Sequence, residues 1–265
     1  MTTDQPTAAT LEITDGLATI SLTRATAANA LDRALKHELL SHVRAVADDE
    51  SVRAVLLVAD GKNFCVGQDL GEHVEGLRAD PSTAMATVGA DYNPLIRALA
   101  GLRVPVIAGI NGACVGAGLG IALVADIRVA GDSSTYATAF TGIGLAADSG
   151  LSYTLAKAVG PSRAAGLLML GDRFGAADAL TWGLVHRVVP DAELREQATA
   201  LATRLATGPT AAYREVKALL HLPSATLDDA LEGERAAQES LGATRDHSAA
   251  VEAFLAKSKP VFTGS

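Results

Sequence analysis

Cysteine is almost absent from this chain: Cys65 and Cys114 are the only two among 265 residues. They lie far apart and form no Cys-x-x-Cys pair with histidine partners. Buried reduced thiols are therefore expected, and a metal centre or disulfide framework is not. A basic surplus is missing as well. The chain has 22 Lys and Arg against 30 Asp and Glu, a formal net charge of −8, which argues against a general nucleic-acid binder. No apolar run reaches the length of a membrane span, because Gly, Asp or Arg interrupts each one. The polar, Ala/Thr-rich start from Met1 to Thr10 lacks a basic stretch followed by an apolar one, so no secretory leader is expected. These absences predict a cytoplasmic protein with no metal, no nucleic acid and no membrane among its partners.

Apolar residues are abundant, at 49% of the chain, enough for one large or two small cores. Leu11 to Thr14 and Leu17 to Leu22 alternate as short strands, with Asp15-Gly16 between them as a hairpin turn. After Asn29, the residues Leu31, Leu35, Leu39, Val43 and Val46 recur at helical spacing, ending near Asp48. Val52 to Val58 reads as a buried strand, and Asp60 to Asp69 as a loop. Tyr92 to Ala100 is helical, Val104 to Ile110 is a second buried strand, Gly116 to Val124 a close-packing helix and Ile127 to Ala130 a strand. This alternation predicts an α/β fold with mostly parallel pairing. Beyond Ser149 the chain reads as successive Ala-rich helices, apart from Leu184 to Val189. Pro161, Pro190, Pro209 and Pro223 stand where helices begin or loops turn. This helical part is too poor in large apolar side chains to stand alone, so packing against the core or a neighbouring subunit is expected.

Two Gly-containing loops follow strands: Asn63-Phe64-Cys65-Val66-Gly67-Gln68-Asp69-Leu70, and Asn111-Gly112-Ala113-Cys114-Val115-Gly116-Ala117-Gly118-Leu119-Gly120. Small residues let backbone N–H groups approach a ligand, and a helix starting at the second loop adds its positive end. The second loop is not a dinucleotide fingerprint: its spacing is Gly-x-Gly-x-Gly, with no acidic ribose partner in the expected place. Taken together, the loops resemble the enoyl-CoA hydratase/isomerase (crotonase) superfamily. The resemblance extends through Asn29-Ala30-Leu31, Pro105-Val106-Ile107-Ala108, Ala125-Asp126-Ile127, Trp182-Gly183-Leu184-Val185 and Lys257 to Gly264, which is almost the whole chain.

The resemblance implies a crotonase-like spiral of ββα units over residues 1–200. The helical C-terminal region, 201–265, would serve trimer packing and pocket closure in a homotrimer or hexamer. It implies an acyl-CoA thioester substrate, with coenzyme A as part of the substrate and no permanent cofactor. Backbone N–H groups at Gln68 and Ala117 would form an oxyanion hole, a feature in which one donor is typically worth roughly 3–4 kcal/mol to a transition state. Backbone around Ala28 would meet the adenine end of coenzyme A, and Val66, Gly67, Gln68, Asp69 and Leu70 the pantetheine end. Gly71 stands where the family often has Lys. Arg24, Lys257 and Lys259 are the basic candidates for the phosphates, and each also reads as a solvated surface charge.

The chain departs from the hydratases of this family at both catalytic glutamates, where it has Gly120 and Phe140. Adding water to a conjugated double bond needs groups that place water and move protons. Instead, Asp148 stands in an Asp-Ser-Gly motif that resembles the catalytic aspartate of ring-epoxyphenylacetyl-CoA isomerases and related enoyl-CoA isomerases. Asn93-Pro94-Leu95-Ile96 resembles that branch too. One carboxylate suffices to remove a proton from one carbon and return it to another. Asp148 also suits an N-cap of a helix from Ser149 to Val159; capping would lower its pKa, whereas an apolar pocket would raise it. An isomerase is therefore favoured over a hydratase with non-standard water positioning and over a silent acyl-CoA-binding oligomer. A 4-chlorobenzoyl-CoA dehalogenase ranks third among the enzymes, since it needs an indole near the aspartate and Trp182 is the only one present. Asp69 and Asp126 read as structural hydrogen bonders, and His73, just past the first loop, as solvent-exposed.

Overall fold

A tight turn sets the first edge of the molecule. β1 (Ala9–Thr14) and β2 (Leu17–Leu22) pair antiparallel, with Thr14 opposite Leu17. Asp15 and Gly16 take φ of 51° and 79°, the pair of positive angles that lets a two-residue hairpin follow the strand twist. The computed structural model describes residues 7–222 and 226–265, so the turn expected at Pro223 lies outside it.

α1 (Arg33–Asp48) starts later than the periodicity suggests. Asp32 caps it by accepting the Leu35 N–H at 2.9 Å, and Leu31 precedes it as a lone bridge to Gln68. Leu35, Leu39, Val43 and Val46 are buried as expected, and Lys36 is buried among them. Then come β3 (Ala54–Ala59), α2 (Leu70–Ala79), a π-type turn over Val88–Tyr92 and α3 (Asn93–Ala100). β4 (Val106–Ile110), β5 (Ala113–Val115) and α4 (Ala117–Val124) form one ββα turn. β6 (Ile127–Gly131), β7 (Thr135–Ala137) and α5 (Leu151–Val159) form the next. α6 (Pro161–Leu170), with Pro161 in its first turn, leads to β8 (Phe174–Gly175), α7 (Ala176–Thr181) and β9 (Arg187–Val189). The chain closes with α8 (Leu194–Ala206), α9 (Thr210–Leu220), α10 (Leu227–Gly242) and α11 (Arg245–Leu255).

The strands form two sheets. The larger runs β1-β2-β3-β4-β6-β9 and is parallel from β2 onward; the smaller runs β5-β7-β8. A parallel bridge from Cys65 to Cys114 extends the smaller sheet by one position, so the turns that start at β3, β4 and β6 visit both sheets before entering a helix. This is the α/β spiral of ββα units that the resemblance implies. Both cysteines are buried and free, and burial pushes the Cys65 thiol up to about 12, leaving it inert.

β3 shows why the large sheet needs cover on both faces. Val55 and Leu57 enter the main core with α1, α3 and α4, while Ala54, Leu56 and Val58 point to α8. Ala198, Ala202 and Ala206 recur every fourth residue along α8, so the helix lies close on the sheet. A Cβ at Gly109 would stand 3.2 Å from the Ala198 methyl. Position 200 lies within this helix, so the expected 200/201 division passes through α8.

Candidate active site

The first loop is pinned from both sides. Leu31 N–H donates to the Gly67 carbonyl (2.8 Å) and Asp69 N–H to the Leu31 carbonyl (3.2 Å). Cys65 N–H donates to the Ala113 carbonyl, and Val115 N–H returns to the Cys65 carbonyl at 2.9 Å. The second loop is thereby pressed against the first. At Gly67, φ +89°, a Cβ would lie 3.1 Å from the Val115 carbonyl and 3.5 Å from the Ala117 nitrogen. At Gly118 it would lie 2.8 Å from the Cys65 sulfur. Only glycine admits this approach. Gln68 and Ala117 thus line one cavity, and neither backbone N–H has an acceptor among the described residues.

That cavity has a volume of about 550 Å³. Val66, Gly67, Gln68, Asp69, Leu70, Ala117 and Asp148 all line it, together with Phe140, Ile143, Leu145 and Tyr92, so most of the expected site residues meet in one place. Ala28 and Lys257 do not line it. Ala27 and Ala30 do, whereas Lys257 is exposed beyond α11. Gly71, at the position where the family often has Lys, lies on the wall. His73 is half-buried and faces the cavity instead of being solvent-exposed. Arg24 is not a free surface cation: it pairs with Asp32 and Asp69, each at 3.2 Å, and bonds the Ala30 carbonyl. Asp69 caps α2 through the Glu72 N–H (3.1 Å), and Asp126 accepts from Val106 N–H and Lys217, both at 2.8 Å, as structural hydrogen bonders do.

Asp148 does not cap α5. Its carbonyl, rather than its carboxylate, accepts the Leu151 N–H, and the capping position belongs to Gly150 in the left-handed region. Ser149 (φ 52°) and Gly150 (φ 69°) form two consecutive left-handed residues, a conformation that costs a non-glycine residue of order 1 kcal/mol or more. The turn keeps the carboxylate on the cavity wall, where Asp148 Oδ1 is buried with no hydrogen-bond partner. Burial pushes the carboxyl above its ordinary range; the Ser149 hydroxyl opposes the rise, although its geometry falls short of a hydrogen bond.

Neither Gly120 nor Phe140, the positions where the resemblance implies hydratase glutamates, carries a carboxylate. Gly120 is buried in α4, and a Cβ there would stand 2.6 Å from Ser149 Cβ and 2.9 Å from its carbonyl oxygen. Phe140 presents a ring to the cavity. Trp182 packs on Phe174, with ring centroids 5.0 Å apart, and lies under the Arg163 guanidinium, away from the cavity. Among the described residues no cluster of His, Cys, Asp and Glu could hold a metal, and no helix is long and apolar enough to cross a membrane.

The sequence reading missed the polar wall formed by Tyr92, Gln68 and Glu72. Tyr92 OH donates to Gln68 Oε1, and Gln68 Nε2 donates to Glu72 Oε1 at 3.2 Å. Glu72 Oε1 also receives the Lys36 ammonium at 2.6 Å. Burial first, then nearby Asp148 and other negative charge, holds the Tyr92 phenol well above its ordinary pKa, so it remains a neutral donor. One signal was available: Lys36, Leu39, Val43 and Val46 follow the 3-4-3 spacing of a buried helix face.

Residues 12–265 match the enoyl-CoA hydratase/isomerase family. A Rhodobacter capsulatus protein named as an enoyl-CoA hydratase is 38% identical over 255 residues, covering 96% of each chain. The 1,2-epoxyphenylacetyl-CoA isomerase of Escherichia coli is also 38% identical, over 94% of this chain and 95% of its own. The crystal structure of a Mycobacterium abscessus protein described as an enoyl-CoA hydratase/isomerase superimposes with a TM-score of 0.96 at 57% identity, covering 97% of this chain and all of that one. The chain belongs to the enoyl-CoA hydratase/isomerase family of acyl-CoA enzymes.

Proposed function

We propose that the protein isomerises an acyl-CoA thioester, of the enoyl-CoA or ring-epoxide/oxepin-CoA type, with Asp148 as the proton shuttle. The Asp148 carboxylate removes a proton from a carbon conjugated to the thioester, and the freed electron pair moves onto the thioester oxygen. The Gln68 and Ala117 N–H groups stabilise that oxyanion. Asp148 then returns the proton to a different carbon, so nothing is added or lost. Val66, Gly67, Asp69 and Leu70 hold the pantetheine arm, and backbone near Ala28 and the Lys257 ammonium meet the nucleotide end.

The observation that carries this reading is the buried, unpartnered Asp148 oxygen in an apolar wall, with its carboxyl raised by that burial. A raised carboxylate is a better base than an exposed one, and proton transfer between carbons needs only one. The crowding at Gly120 and the ring of Phe140 leave no carboxylate at either hydratase position. The name of the E. coli relative is that of an isomerase. A hydratase that positions water without those glutamates is the second reading, and the R. capsulatus relative's name favours it.

Crotonyl-CoA, a 3-enoyl-CoA and an epoxyphenylacetyl-CoA, incubated separately with the enzyme, decide between them. Turnover of the second or third without water incorporation is expected. Hydration of crotonyl-CoA alone would establish the hydratase, and binding without turnover of any of the three would establish a silent acyl-CoA binder. The same reading includes assembly as a homotrimer or hexamer, supported by the exposed Leu227 on α10, Phe254 and Leu255 on α11 and Val261 beyond it. Light scattering at micromolar concentration is expected to give three or six times the chain mass, and a monomeric mass would refute it.

A further inference from the structure

α2 walls one side of the cavity, yet it buries none of its own residues. Apolar packing therefore contributes little to holding it, and polar contacts at its first turn carry that task. Glu72 is the centre of these contacts: Oε2 accepts the Arg33 N–H at 2.6 Å, and Oε1 accepts the Lys36 ammonium at 2.6 Å and the Gln68 carboxamide at 3.2 Å. Gln68 is fastened at its other end by Tyr92 OH. Lys36 roots the arrangement. It is fully buried, donates to Thr87 Oγ1 at 2.7 Å, lies 3.8 Å from Asp91 and sits 5.2 Å from the centre of the Tyr92 ring. Tyr92 and Asp91 belong to the π-type turn, a rare backbone form often found at functional sites.

A buried ammonium is costly unless its partners satisfy it: a whole buried ion pair exchanged for apolar groups is often neutral for stability, whereas removal of one partner is strongly destabilising. The charged cluster as a whole is thus a weak source of fold stability, and what it does fix is geometry. The geometry points to Lys36 as a positioning residue for catalysis: through Glu72 and the doubly tethered Gln68 carboxamide, it fixes the orientation of the Gln68 backbone N–H toward the thioester oxygen. The inference rests on the reading of that N–H as an oxyanion donor.

The test separates the two ideas. Infrared difference spectroscopy of a bound, unreactive saturated acyl-CoA, isotope-labelled at its carbonyl, reads polarisation of the thioester directly and does not involve Asp148. In the parent enzyme the carbonyl stretch is expected to move to lower frequency on binding. An unmoved stretch would overturn the oxyanion reading, and with it this inference. Lys36→Met is expected to lose most of that shift and to lower kcat about 10- to 100-fold while KM changes little, the pattern of a misplaced transition-state donor. Gln68→Ala keeps the backbone N–H but cuts its tether. In that background Lys36→Met is expected to change kcat less than about twofold. Tyr92→Phe removes only the hydroxyl at the far end and is expected to reproduce the loss in weaker form, which keeps the question open to test should Lys36→Met fail to fold. A folded Lys36→Met with full carbonyl shift and kcat would overturn the role of Lys36. So would an effect that adds in full to that of Gln68→Ala, or, should Lys36→Met not fold, a Tyr92→Phe enzyme indistinguishable from the parent.

Discussion

The two walls of the cavity treat charge in opposite ways. On one, Lys36 is completely buried but meets Glu72, Thr87, Asp91 and the Tyr92 ring, so its charge is satisfied in every direction. On the other, Asp148 is only half-buried, yet one of its oxygens has no partner, and the neighbouring Ser149 hydroxyl is buried unpartnered too. A satisfied network fixes geometry, and a single defect spreads through all its members. An unsatisfied carboxylate costs stability and remains free to take up a proton. One wall is built to hold still, and the other leaves a carboxylate oxygen free.

The largest test of this contrast is Asp148→Asn. The amide keeps the shape but cannot act as a base, so isomerisation is expected to fall by roughly 10²–10⁴-fold with acyl-CoA binding retained. Stability is expected to move the other way. The Asp148 carboxyl is raised in the folded state, so its contribution is fully present below the ordinary carboxylate range and is lost as pH rises through the raised value. Asn has no such loss. Thermal unfolding of the two proteins is expected to show the variant gaining relative to the parent between acidic and neutral pH. Parallel pH–stability curves together with near-parental turnover would assign Asp148 no special burden, and the base would lie elsewhere.

Much of this was legible beforehand. The hairpin at Asp15-Gly16, the stripe from Leu35 to Val46 and the buried strands are local patterns of turn chemistry and periodicity, and they read directly. The meeting of Gln68 with Ala117 was reached through the resemblance; what fixes it physically is the absence of a Cβ at Gly67 and Gly118. Asp148 illustrates the limit. Its residue type allowed either a cap or a base, and the choice turned on two left-handed residues, Ser149 and Gly150, of which only the glycine is visible in sequence. Lys36 was missed because a charged residue is ordinarily placed on the solvent face, although its spacing put it on the buried one. Its partners Glu72, Thr87 and Asp91 lie 36 to 55 positions away, at separations that no local pattern records.

A smaller effect sharpens the contrast at the Asp148 wall. Gly120→Ala places a methyl group where 2.6 Å separates it from Ser149 Cβ, and α4 and the Asp148 turn must part to admit it. Overpacking of this kind is expected to cost about 1–3 kcal/mol in denaturant unfolding. Because the displaced residue adjoins Asp148, turnover is expected to fall as well. Ser149→Gly works in the opposite direction. It removes the left-handed strain of a non-glycine residue and a buried hydroxyl without a partner, and against these gains it loosens the unfolded chain. A net gain on the order of 0.5–1 kcal/mol is expected. The two changes meet at one contact, so they are expected not to add. In the double variant the Ser149 Cβ is gone, and part of the Gly120→Ala cost should disappear with it. The remainder reflects the Ser149 carbonyl oxygen, which would still lie 2.9 Å from the new methyl. Strict additivity of the two stability changes would show that α4 and the Asp148 turn are not packed through this contact.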